Sequence, residues 1–111
     1  MKITIRAKGI KLTSDLEQYA REKVNKLDKF LGDVIESWVE LVEDKSMKSG
    51  KKFRVEVQIK LPRDSIRADV KAMNILEAID LVIPKLKKGI EKINAYKERP
   101  RRGRGIKGVR E

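Results

Sequence analysis

The chain has 111 residues, 40% of them hydrophobic, and no Cys or His; 28 Lys and Arg against 17 Asp and Glu leave a formal net charge of +11. That length makes one domain. Disulfides and Cys-based metal sites are excluded, and without His the commonest general base, metal ligand and pH switch are gone. The pI of about 10.0 points first to nucleic acid or another anionic surface. A solvated, heat-adapted surface explains 41% charged residues but not the excess of one sign.

Residues 2–8 alternate, with Ile3, Ile5 and Ala7 against Lys2, Thr4, Arg6 and Lys8, which predicts a half-buried strand ended by Gly9. The opening residues carry no apolar core of a signal peptide, and no apolar run approaches the ~20 residues of a membrane span, so a cytoplasmic protein is expected. Thr13 or Ser14 can cap the next element, and Ser14-x-x-Glu17 fits a capping box. Leu16, Ala20, Val24, Leu27 and Leu31 then keep helical spacing, and Gly32 supplies the stop.

A second strand is expected over 34–43, with Ser37, Val39 and Leu41 on one face and Trp38, Glu40 and Val42 on the other. The polar run 44–52 suits a hairpin loop. Phe53, Val55, Val57, Ile59 and Leu61 alternate cleanly as a third strand, 62–64 turn, and Ile66, Ala68 and Val70 give a fourth, shorter one. A long helix follows from Met73 or Asn74 to about Tyr96, with Ile75, Ile79, Val82, Ile83, Leu86, Ile90 and Ile93 as its core stripe. Pro84 inside it predicts a kink near 80–84, and Gly89 a weak point. From 98 onward the apolar period is lost and Arg and Gly dominate, as in a segment disordered when alone. The expected fold is α+β in two layers, β-α-β-β-β-α, with both helices on one face of a four-stranded sheet as in double-stranded-RNA-binding domains. A domain over 1–97 precedes a basic flexible tail over 98–111.

Lys85, Lys88 and Lys92 share one side of the last helix, apart from Glu77, Asp80 and Glu91. Lys23, Lys26 and Lys29 form a diagonal row on the first helix and, if the helices pack side by side, can border the same groove. Lysines on a rigid scaffold bind an RNA backbone without reading its sequence. An ordinary solvated helix side also carries several lysines, and that competes most strongly for the Lys23, Lys26 and Lys29 row. In the tail, Arg99, Arg101, Arg102 and Arg104 offer guanidinium forks to phosphate on a chain that glycine makes adaptable. Tyr19, Phe30 and Phe53 read as core, Trp38 as core or sheet packing, and no exposed aromatic pair suggests a base-stacking platform. No nucleophile with its base, carboxylate pair or phosphate loop appears, so neither an enzyme nor a cofactor or metal site is expected.

Two blocks, KITIRAKGIKLTSDLEQYAREKVNKLDKF and SIRADVKAMNILEAIDLVIPKLKKGIEKINAYK, resemble the ribosome hibernation promoting factors, also called ribosome-associated inhibitors. Ile66-Arg67-Ala68, Ala78-Ile79-Asp80 and Lys85-Leu86 stand in the family's places, over about residues 1–97. The family's Asp-Met-Tyr before Ala-Ile-Asp is replaced by Asn74, Ile75 and Leu76. The resemblance implies a short-form protein that binds the small ribosomal subunit and its 16S rRNA in the mRNA/tRNA channel. It implies reversible inhibition of translation under stress or in stationary phase, with neither a membrane nor a small-molecule substrate involved. It also assigns rRNA contacts to Lys23, Lys26, Lys29, Lys85, Lys88 and Lys92. A general structured-RNA or double-stranded-RNA binder and an adaptor for an acidic protein are the alternatives.

Overall fold

A computed structural model describes residues 2–31 and 34–98, with side chains as far as Ala95. Gly32, expected to stop the first helix, and the tail arginines Arg99, Arg101, Arg102 and Arg104 lie outside the described residues, as does nearly all of the expected tail. Strand β1 (Ile3–Lys8) leads into helix α1 (Ser14–Asn25) and a 3-10 turn (Lys26–Phe30). Strands β2 (Glu36–Glu43), β3 (Phe53–Lys60) and β4 (Ser65–Ala72) follow, then helix α2 (Ile75–Glu98).

The strands lie in spatial order β1-β2-β3-β4. The β2-β3 and β3-β4 pairs are antiparallel, but β1 runs parallel to β2, with Ile3 opposite Ser37, because α1 carries the chain back across the sheet. β4 is eight residues long, as long as β2 and β3, so the shorter strand read from its apolar positions is corrected.

Alternation decides which face is covered. Val39 and Leu41, Val55, Val57 and Ile59, and Ile66 and Val70 turn to the helices and are buried. They meet Ala20, Val24 and Leu27 from the α1 side and Ile79, Val82, Leu86 and Ile90 from α2. Each large aliphatic so buried contributes roughly 1.5–3 kcal/mol. α2 lies over β3 and β4, and α1 over β1. Among the described residues no helix covers the opposite face.

Local chemistry sets the element ends. Thr13, not Ser14, caps α1: its Oγ1 accepts from the Leu16 N–H at 3.2 Å. Glu17 is then free to bind Arg21 one turn on, at 2.8 Å. Asn74 starts α2 by accepting from the Glu77 N–H at 2.8 Å, which puts the first helical residue at Ile75. α2 runs as one helix through Pro84, which stands on its exposed side. Gly89 faces β4: a Cβ there would sit 2.9 Å from the Ile66 Cγ2. It is therefore a point of close helix–sheet approach, which the sequence presents only as a helix weakness.

Candidate nucleic-acid interface

The six lysines expected to bind RNA all stand on the helix layer, but not along one groove. Successive residues on a helix turn by ~100°, so Lys85 and Lys87 look to opposite flanks of α2. Lys85 leans outward over the sheet edge, its Nζ donating to the Asp69 carbonyl of β4 at 3.1 Å. Lys92 borders a shallow depression on that same side, with Asp64, Arg67 and Gly89. The flank of α2 that faces α1 instead presents Asp80 and Lys87. The single groove shared by both lysine rows is therefore corrected: Lys85 and Lys92 flank the β4 edge, Lys88 is exposed, Lys23 faces Asp80, and Lys29 shares the Phe30 ring with Lys87.

The seam between the helices has its own electrostatics. Tyr19 donates to Asp80 at 2.6 Å, and Lys23 lies 3.6 Å from the same carboxylate and 5.4 Å from the Tyr19 ring centre. That hydrogen bond, then partial desolvation and the Asp80 charge, raises the Tyr19 pKa above its ordinary value. About two turns along α2, Lys29 and Lys87 each stand 5.1 Å from the Phe30 ring centre. Phe30 is 41% exposed, so its expected core role is corrected: it is an aromatic floor beneath two ammonium groups.

The 3-10 turn changes the first lysine row. At three residues per turn, side chains three apart eclipse. Lys26 and Lys29 thus stand in line rather than on the diagonal an α-helix imposes. Lys87 was invisible as a candidate because its place in the seam depends on Phe30, 57 positions earlier in the chain. The only sequence signal for it was its membership of the Lys85–Lys88 cluster.

The helix-free face is also charged. Arg54 reaches Glu56 at 3.4 Å and Glu40 and Asp69 at 3.9 Å, and Arg67 donates to Glu56 at 2.6 Å. Trp38 lies on this face, packed on the sheet and 36% exposed, so of the two places expected for it the sheet rather than the core holds. Among the described residues no group of His, Cys, Asp or Glu is arranged to hold a metal, and no helix is long and apolar enough to cross a membrane.

Comparison with known proteins agrees with this architecture. A family model described as Sigma 54 modulation protein / S30EA ribosomal protein matches residues 3–99. The chain is 29% identical over 104 residues to a ribosome hibernation promotion factor of Lactococcus lactis, covering 92% of this chain and 52% of that one. It is 26% identical over 98 residues to the factor of the same name from Deinococcus radiodurans, covering 87% and 51%. The chain thus spans about half the length of these curated relatives. Among solved structures, a ribosomal subunit interface protein from Coxiella burnetii superposes with a TM-score of 0.75 at 20% identity, over 86% of this chain and 99% of that one. The N-terminal domain of Thermus thermophilus Protein Y gives 0.71 at 24%, over 84% and 99%. Both show the same fold.

Proposed function

The chain belongs to the Sigma 54 modulation protein / S30EA ribosomal protein family, and on that footing we propose that it is a cytoplasmic ribosome hibernation factor without enzymatic activity. It binds the small ribosomal subunit, occupies the mRNA/tRNA channel and blocks translation reversibly under stress or in stationary phase. The mechanism is steric: a rigid two-layer domain fills the channel, and lysines hold it to 16S rRNA phosphates. The observation that carries this reading is the family match across 3–99, which spans both helices and every lysine they present.

Lys23, Lys26, Lys29, Lys85, Lys88 and Lys92 are the contacts, with Lys87 added by its place in the seam. Phosphate contacts of this type fix position and carry no sequence information. Replacing Lys85, Lys88 and Lys92 together by Glu abolishes co-sedimentation with purified small subunits at moderate salt. Normal co-sedimentation of that variant removes this surface from the interface. Competition with bulk duplex RNA separates a ribosome-specific factor from a general duplex binder, because the former keeps its preference for small subunits in excess duplex.

A further inference from the structure

A second group of basic side chains lies away from the helices. At the β2–β3 hairpin end of the sheet, an open depression of about 560 Å³ is lined by six basic side chains and only two carboxylates, Glu43 and Asp44. Strand register explains the gathering. Lys8 pairs with Val42, Val42 with Arg54, and Arg54 with Lys71, so one cross-strand row on the helix-free face carries three cations. Lys45 and Lys51 join it from the loop. Among the described residues Lys8, Lys45, Lys51 and Lys71 are in no ion pair, and all four are exposed. Lys52 is held 3.5 Å from Glu43, and Arg54 is drawn to the acids of the next row.

The loop that presents these groups is built. Asp44 N–H donates to the Lys52 carbonyl at 2.8 Å, and Asp44 Oδ1 accepts from the Ser46 N–H at 3.0 Å and from its hydroxyl. Those bonds lower the Asp44 pKa, so the turn keeps its anchor at neutral pH. Gly9, at φ 77°, lets the end of β1 press against the Glu43 backbone, where a Cβ would lie 2.5 Å from the carbonyl oxygen. This close approach fixes Lys8 beside the hairpin.

We propose that this hairpin end is a second binding site for an RNA phosphate backbone, on the face of the sheet opposite the helices. It rests on the reading of the protein as a ribosome binder, which supplies RNA on more than one side. Separate exposed ammonium groups over a shallow polar depression match a chain of phosphates, as point charges without base readout. Two basic surfaces on opposite faces of one sheet clasp two RNA elements at once.

The test compares Lys8→Ala/Lys51→Ala/Lys71→Ala with Lys85→Glu/Lys88→Glu/Lys92→Glu for binding to purified small subunits across a salt series. Each lost phosphate contact lowers the slope of log affinity against log salt by about 0.7–0.9, so the hairpin variant loses roughly two slope units and at least tenfold in affinity. Unchanged slope and affinity, with the helix variant still defective, overturns the second site and leaves the functional reading standing. Should the strand substitutions disturb folding, Lys45→Ala/Lys51→Ala in the loop gives the same comparison. A photoreactive side chain at Met47 identifies the partner: crosslinks to rRNA support the site, while crosslinks to a ribosomal protein, or none, overturn it. If the wild-type chain does not co-sediment with small subunits, the functional reading fails by itself. The hairpin variant is then measured on a short RNA duplex, where an unchanged salt slope overturns the site.

Discussion

Asp80 ties the two helices together by accepting from Tyr19 and facing Lys23. Because the folded state raises the Tyr19 pKa, the stability it contributes is complete below the unfolded value near 10 and is lost as pH rises through the folded one. In an Asp80→Asn variant, ultraviolet titration on a Tyr96→Phe background shows Tyr19 ionising at lower pH, and stability falls less steeply in that alkaline window. The same substitution frees Lys23 and removes a negative charge from the seam, so under the proposed function co-sedimentation with purified small subunits survives to higher salt. Gly89 sets a second residue-scale test. Alanine is favoured over glycine in a helix by about 1 kcal/mol, yet a methyl 2.9 Å from the stiff, buried Ile66 branch forces overpacking costing about 1–3 kcal/mol. Gly89→Ala therefore lowers stability by about 1 kcal/mol, seen as a fall of about 4–8 °C in Tm.

At the scale of elements, each helix guards the sheet edge beside it. Arg21 of α1 donates to the Ile3 carbonyl of β1 at 3.0 Å, and Lys85 of α2 to the Asp69 carbonyl of β4. Lys2 gives its own carbonyl to Ser37, so the next one along, Ile3, looks away from β2. Exposed edges template pairing with other chains, and basic side chains over them oppose it. An Arg21→Ala/Lys85→Ala variant keeps its helix content but associates faster in light scattering. Because Lys85 is engaged at the edge, under the proposed function Lys85→Ala costs less co-sedimentation with small subunits than Lys88→Ala. Strand alternation made the sheet legible in the sequence, since Val55, Val57 and Ile59 admit only one inward face. The 3-10 turn was not legible, because Leu16, Ala20, Val24, Leu27 and Leu31 keep α-helical spacing straight through it. The seam was not legible either: Tyr19 and Asp80, or Phe30 and Lys87, become neighbours only once α1 and α2 lie on the same sheet.

For the whole molecule, the excess of positive charge is divided between two faces rather than concentrated on one. Sequence reasoning located the helix lysines because their spacing repeats along one element. It passed over the hairpin end because Lys8, Lys51 and Lys71 come from three distant segments that strand register alone unites. The parallel pairing of β1 also has a kinetic side. Ile3 meets Ser37 across 34 positions, whereas β2, β3 and β4 form a meander closed by short turns. Closing the longer loop costs more entropy before any contact repays it. During synthesis β1 must therefore wait for its β2 partner until Glu36–Glu43 has followed it out, and in hydrogen exchange on the finished protein its amides are expected to be the first of the sheet to exchange with solvent.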